Sequence, residues 1–371
     1  MNGIEQRTLV LSAADVQEVV GSKGLNTFMD ELIVRLEQAI SSYSPENTDI
    51  PARSGFSYEQ PTSGLIEWMP VYENGKDVVL KLVGYHPSNP EVLGFPTILS
   101  SIFTFDTKSG HLESIVDGVL LTALRTGAAS AVASRFLAKQ DSETLGLLGC
   151  GVQGVTQFHA LSRIFDIKTV LVFDTDPRAL DSFEERVSVF EHGARIKRAS
   201  IEEIVQSSDI ISSATSIDIG AGPLFGDIKC LPHLHINAVG SDFPGKTELP
   251  IEYLRRSLVC PDFYDQAVKE GECQKLDPEE IGPSLSEIAS SASAFESHQE
   301  RMTVFDSTGW ALEDRVAAQF ALDSARQLGI GEMMAIESMP IDCKNPYEFI
   351  SGNVQHLNDV DELESFAEVL G

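Results

Sequence analysis

The stretch LGLLGCGVQGVTQFHALSRIF (residues 145–165) decides the fold. Its first part is an apolar strand running into glycine, and its second part carries apolar residues at helical spacing. Between them lies GCGVQG, with Gly149, Gly151 and Gly154 in a GxGxxG pattern. The pattern alone is weak. Directly after a strand and at the opening of a helix it has a mechanism. The first glycine permits a tight turn, the second lets backbone approach a pyrophosphate, and the third lets helix pack closely on strand. The helix N-terminus adds the positive end of its dipole. The plainer alternative is that the glycines serve only turn and packing.

Outward from this stretch the pattern repeats. KTVLVFD (168–174) is a second strand ending on Asp174, 25 residues after Gly149 (174 − 149). A carboxylate there can accept hydrogen bonds from ribose hydroxyls and repels a 2′-phosphate, which favours NAD over NADP. Arg178, close by, argues the other way. DPRALDSFEERVSVF (176–190) reads as one helix opened by Asp176 and Pro177. ARIKRAS (194–200) is strand-like, and IEEIVQSSD (201–209) is a short helix behind a Ser200 cap. IISSAT (210–215) and LHINAVG (234–240) are further strands. Strands and helices alternating through short connections imply an α/β fold with a doubly wound parallel sheet.

The residues before 127 read differently. GLIEWMPVYENGKDVVLKLVGYHP (64–87) alternates strand and turn, and TILSSIFTFDTKSGHLESIVDG (97–118) reads as a hairpin through TKSG. This is an α+β unit. TALRTGAASAVASRFLA (122–138) is an Ala-rich helix bridging the two halves, and ALEDRVAAQFALDSARQL (311–328) is a helical return segment. The tail beyond Met339, with DVDELESFAEVLG, reads as acidic and peripheral. The division expected is 1–126 with 319–371 in one domain and 127–318 in a Rossmann domain.

A chain of 371 residues suits two domains. No apolar run reaches the roughly 18 residues that span a membrane, and the N-terminus lacks the regions of a signal peptide. The five cysteines (150, 230, 260, 273 and 343) are scattered and form no CxxC. That argues against a disulfide framework and a zinc site, and for a reducing cytoplasm. His233 and His235 alternate along a strand with no acid or cysteine ligand beside them, so no metal is expected there. A formal charge of −29 argues against nucleic acid and anionic membranes as partners. It reads as solubility, or as a field that draws a cationic substrate.

One further stretch leaves its strand in an odd way. INAVGSDFPGKTELP (236–250) ends an apolar run in Gly240 and then offers an acid, Asp242, before Pro244, Gly245 and Lys246. It lies at the carboxyl edge of the sheet, where doubly wound folds bind ligands.

EWMP (67–70), LKLVGYHPSNP (80–90), LTALRTGAASAVAS (121–134), GCGVQG, HINAVGSDFPGKTELP (235–250), KEGECQ (269–274) and FDSTGWALEDR (305–315) together resemble the ornithine cyclodeaminase and mu-crystallin family. The similarity runs from about residue 8 to residue 330. Within the family it looks closest to the enzymes acting on lysine and ornithine, with IEWMP and GYHPSNP…GFPTI more like the lysine enzymes. The resemblance implies a Rossmann domain, a split N-terminal domain that also makes a homodimer, and a tightly held NAD regenerated in each cycle. It implies a basic amino acid as substrate, converted to a cyclic imino acid with loss of ammonia. It places Asp242 at the family's catalytic aspartate, with Glu67 near the distal amine and Lys81 also catalytic. Arg53, Lys81 and Arg125 match positions near the substrate carboxylate, which suits cations that can clamp it. Glu270 and Thr308 match substrate contacts. Thr97, Arg125, Gly149, Gly151, Val152, Gln153, Gly154, Asp174, Thr215, Val239, Lys246 and Ser307 match cofactor contacts. A net amino acid dehydrogenase or ketimine reductase of the same family, and a non-catalytic crystallin-like binding protein, are the alternatives.

Overall fold

The computed structural model describes residues 7–351. The DVDELESFAEVLG segment therefore lies outside the described residues. The strands are β1 (Thr8–Leu11), β2 (Thr48–Asp49), β3 (Ser54–Tyr58), β4 (Gly64–Glu73), β5 (Asp77–Tyr85), β6 (Ile98–Asp106) and β7 (Leu112–Asp117), then β8 (Thr144–Leu148), β9 (Thr169–Phe173), β10 (Arg195–Arg198), β11 (Ile210–Ser213), β12 (His235–Ala238), β13 (Leu258–Pro261), β14 (Thr303–Asp306) and β15 (Glu332–Met334).

They form two sheets. The first runs β15-β1-β7-β6-β5-β4-β2, with β3 also paired to β4. Its central pairs are antiparallel, as the strand-and-turn alternation of 64–118 requires. The second runs β10-β9-β8-β11-β12-β14-β13 and is parallel throughout. Its order reverses between β8 and β11, the switch point at which such sheets take ligands. The α/β class and the Rossmann-type sheet expected from residues 145–240 are both present.

Some elements differ from the reading above. β13 and β14 extend the parallel sheet by two strands, helix Ala13–Lys23 packs on β1 and β7 of the first sheet, and helix Leu25–Ser41 packs on helices Val119–Leu137 and Ala311–Leu328. The single helix expected over 176–190 is two short ones, Pro177–Asp181 and Phe183–Val187. Side chains compete there for the helix's own carbonyls: Ser182 Oγ donates to Arg178 O at 2.7 Å, and Arg186 Nη2 donates to Ala179 O at 2.7 Å.

Helix Val119–Leu137 is buried along nearly its whole length and joins the two sheets. Its small residues allow this. A Cβ at Gly127 would lie 2.4 Å from the Thr156 carbonyl oxygen of helix Val152–Ser162, so the two helices meet backbone to backbone. Gly127→Ala should cost on the order of 1–3 kcal/mol, the usual penalty of overpacking a filled core. Urea unfolding reads this, and an unchanged midpoint would show that the helices can part without cost.

Candidate active site

The glycine-rich loop joins β8 to helix Val152–Ser162. Gly149 has φ +104°, and a Cβ there would meet the Ala214 carbonyl oxygen at 2.5 Å, so only glycine makes the turn. A Cβ at Gly154 would meet the Gly149 carbonyl at 2.4 Å, which is the close helix packing expected. Gly151 faces open space, and the helix it opens has no side-chain cap. Uncapped N–H groups, a positive dipole end and room for a bulky anion coincide. Asp174 ends the neighbouring strand. It accepts from Cys150 N at 2.7 Å and Asp176 N at 2.8 Å, so it also braces the loop. A carboxylate has about four acceptor positions, which leaves it capacity for ribose hydroxyls. Arg178, the cation that would welcome a 2′-phosphate, forks onto Asp176 instead. These residues fit a dinucleotide.

A cavity of about 250 Å³ lies between the first sheet and the loops at the carboxyl edge of the second. Strand alternation builds one wall. Glu67 pairs with Val83, Met69 with Lys81 and Leu65 with Tyr85, so all six side chains share one face of the first sheet. That face lines the cavity. Helix Val119–Leu137 contributes Arg125, and the loops after β12 and β14 contribute Asp242, Lys246 and Thr308. Arg53 closes the ring. Its Nη2 donates to the Asp242 carbonyl at 2.6 Å and its side chain pairs with Glu270. Lys246 Nζ donates to Asp242 Oδ1 at 2.9 Å. Lys81 is 1% exposed and its ammonium pairs with Asp314 at 2.6 Å. Burial pushes Lys81 down to about 8, though Asp314 opposes the change. Burial raises Glu67 from its ordinary value, partly offset by Arg53.

Seven residues named from the sequence thus share one cavity: Arg53, Glu67, Lys81, Arg125, Asp242, Lys246 and Thr308. Glu270 stands just behind, on Arg53. Gly149, Gly151, Val152, Gln153, Gly154, Asp174, Thr215, Val239 and Ser307 lie along the loop and the carboxyl edge of the second sheet. Thr97 is not in the cavity wall; its carbonyl accepts from His86 N and its neighbour Ile98 lines the space. The Ser307 hydroxyl is buried without a hydrogen-bond partner among the described residues. His233 pairs with Asp209, while His235 is bonded to Thr303 and Asn237, so both rings have local partners.

A set of buried acids at the site is barely marked in the sequence. Glu248 accepts from Ser213 Oγ at 2.8 Å, Thr215 N at 2.8 Å, Thr215 Oγ1 at 2.6 Å and Gly240 N at 2.9 Å. Glu272 accepts from Glu248 N at 2.5 Å and Leu249 N at 3.2 Å. Asp306 accepts from Glu272 N at 2.9 Å and Cys273 N at 2.8 Å. Asp262 accepts from Thr308 Oγ1 at 2.9 Å and Gly309 N at 2.8 Å. The signal for them is faint: an acid at the end of an apolar run, as in TVFD, or two residues before proline, as in KTELP.

The chain is similar to known proteins along most of its length. The model of the ornithine cyclodeaminase/mu-crystallin family matches residues 8–329. The L-lysine cyclodeaminase of Streptomyces rapamycinicus is 37% identical over 342 residues, which cover 92% of this chain and 99% of the relative. A solved lysine cyclodeaminase, described for its recognition of L-lysine, L-ornithine and L-2,4-diaminobutyric acid, matches with a TM-score of 0.88 at 43% identity, covering 92% of this chain and 99% of that one. An archaeal alanine dehydrogenase dimer with bound NAD matches with a TM-score of 0.77 at 28% identity, covering 89% and 100%.

The buried acids make stability depend on pH. Burial pushes Asp306 up to about 7. A carboxyl raised in the folded state contributes stability that is full below its unfolded value of about 4 and is lost as pH rises through about 7. The stability of the parent relative to Asp306→Asn should therefore be highest near pH 4 and decline toward pH 7. Thermal unfolding across that range reads the difference, and a constant offset would mean that Asp306 stays charged.

Proposed function

The chain belongs to the ornithine cyclodeaminase/mu-crystallin family, and from that premise we propose that it is an NAD-dependent cyclodeaminase of basic L-amino acids. It takes L-lysine to L-pipecolate, or L-ornithine to L-proline, and releases ammonia. The charge layout of one cavity carries this reading. Lys81, Arg125 and Arg53 offer cations to an α-carboxylate, while Glu67 and Asp242 offer acids to two amino groups. A diamino acid presents those charges and little else.

In the reaction the substrate's α-carbon loses a hydride and becomes an imine. The side-chain amine attacks that carbon, the α-nitrogen leaves as ammonia, and the hydride returns to the cyclic imine. NAD, when bound, supplies the acceptor and the return of that hydride, so no net redox change results. Gly149, Gly151 and Gly154, the uncapped helix after them, Asp174 and the Ser307 hydroxyl are the groups that would hold it. The chain's remaining work is with protons. Asp242 takes one from a substrate ammonium, and Lys246 at 2.9 Å holds its carboxylate in place. Glu67, raised by burial, can carry a proton between the two nitrogens.

The remaining expectations follow from the same reading. Residues 127–318 are the NAD-binding domain, and 1–126 with 319–371 bind substrate and dimerise. The outer face of the first sheet supports the dimer. Phe56, Ile66 and Leu99 lie in one row across β3, β4 and β6, with Leu82 beside them, and they are 69%, 45%, 41% and 36% exposed respectively. The five thiols are free, which fits a reducing cytoplasm, and no helix among the described residues is long and apolar enough to cross a membrane.

Incubation with L-lysine and with L-ornithine tests the proposal. One ammonia should appear per cyclic product, with no steady rise in NADH absorbance. NADH building up in step with product would make the chain a net dehydrogenase, and NAD held without turnover would make it a binding protein. Asp242→Asn should lower kcat by about 10²–10⁴-fold while the variant stays folded and NAD-loaded. Turnover within about threefold of the parent, below the range for an acid–base group, would reduce Asp242 to a turn residue.

A further inference from the structure

Two carboxylates stand behind the cavity's cations. Glu313 and Asp314 occupy the first turn of helix Ala311–Leu328 and are 0% and 1% exposed. Asp314 uses both oxygens: Oδ1 accepts from Arg125 Nε at 3.0 Å, and Oδ2 pairs with Lys81 Nζ at 2.6 Å. Glu313 Oε2 accepts from Arg125 Nη1 at 2.7 Å. Lys81 and Arg125 line the cavity, and the two acids do not. One carboxylate thus ties the middle of the first sheet to the helix that carries Arg125.

Two cations buried side by side repel each other and are costly to desolvate. Something must hold them together before an anion arrives. The space around Arg125 is tight, since a Cβ at Gly309 would stand 3.0 Å from its Nη2. The guanidinium is therefore fixed by Gly309, Glu313 and Asp314 together. Lys81 has a single carboxylate within ion-pair distance among the described residues, and it is Asp314.

We infer that Asp314 is a positioning residue of the proposed reaction: its carboxylate fixes Lys81 and Arg125 side by side as one cationic socket for the substrate's α-carboxylate. The inference rests on the cyclodeaminase reading for the identity of that anion. The charged groups acting on Lys81 are Asp314 from its helix, Arg125 from helix Val119–Leu137, Arg53 ahead of β3 and Glu67 from β4. Asp314 and Glu67 favour the ammonium, while Arg125 and Arg53 oppose it. Losing the Asp314 charge therefore lowers Lys81 further.

Asp314→Asn keeps the side chain's shape and an oxygen for Arg125 while removing the charge. On whichever amino acid the parent turns over, KM should rise about tenfold or more, as for loss of a charge-assisted contact, with a smaller change in kcat. The alkaline limb of kcat/KM should move to lower pH relative to the parent, which a merely structural role would not do. An unchanged KM and an unmoved limb in this variant would overturn the inference and leave the cyclodeaminase reading standing. A parent that turns over neither amino acid would overturn that reading instead. Thermal unfolding then decides on the socket without any substrate. Lys81→Met and Asp314→Asn should each destabilise, and the double variant should lose less than their sum, because no charge of the pair is left alone. Additive losses would overturn the inference whatever the substrate.

Discussion

A carboxylate taken out of water must find donors, and the carboxyl edge of the second sheet is organised around that demand. The strands end there, and their last N–H groups have no ladder to join. Asp306, Glu272 and Glu248 answer both needs at once. Asp306 takes the backbone of the loop that begins with Glu272. The Glu272 side chain takes the backbone at Glu248, and the Glu248 side chain takes Gly240, Ser213 and Thr215. Three crossover loops are stitched together in series. The same loops carry Asp242 and Lys246, so side chains on irregular backbone sit on a rigid base, and Glu270 ends the helix Tyr264–Glu270 just before Glu272. A fourth acid, Asp262, does the same for Thr308 and Gly309 beneath Arg125.

The cations obey the converse rule. Lys81 and Arg125 are buried in a chain whose formal charge is −29, and each has an acid at contact distance. Surface charge beyond roughly 8 Å is screened at physiological salt, while buried pairs are screened far less. What a ligand meets in the cavity is therefore the local set, not the chain's total. That set is balanced, with Arg53, Lys81, Arg125 and Lys246 against Glu59, Glu67, Asp218 and Asp242. The strong negative total bears on solubility and encounter; the sorting inside the cavity bears on what binds.

The parallel sheet was legible because β8, β9, β10 and β11 alternate with short helices, and because GCGVQG stands at the first of those junctions. Two of its strands were not. LVCP and TVFD are four residues each, and no helical pattern of ordinary length separates them from their neighbours. The split at Ser182 was hidden for another reason: hydroxyl and guanidinium groups that compete for carbonyls leave apolar spacing untouched. The cavity residues were legible through long motifs, and the structure gathers seven of them around one space. The acids that brace the site were not, because 56 Asp and Glu residues make any one of them look solvated. Glu313 and Asp314 did carry a signal. Their neighbours one turn on are Ala317 and Ala318, so the charged pair sits on the helix face that small apolar residues bury.

Register makes the site and the outer face two aspects of one constraint. On β4 and β5 the odd residues Glu67, Met69, Lys81 and Val83 point into the cavity, and Ile66, Trp68 and Leu82 point away. A slip of one residue would put the apolar row into the cavity and the buried lysine into solvent. The turn that prevents it is Glu73–Lys76, where Lys76 N donates to Glu73 O at 3.0 Å and Gly75 takes φ +73°. Asn-Gly is the strongest short hairpin signal, and here it lies between two strands whose alternation separates charge from apolar surface. Lys81 then meets Asp314 only because the register holds. Asp314 in turn reaches Arg125 on the helix that joins the two sheets. The turn, the strand pairing and the buried ion cluster thus form one mechanical chain, and the cavity lies at the point where it joins the loops braced by Glu248.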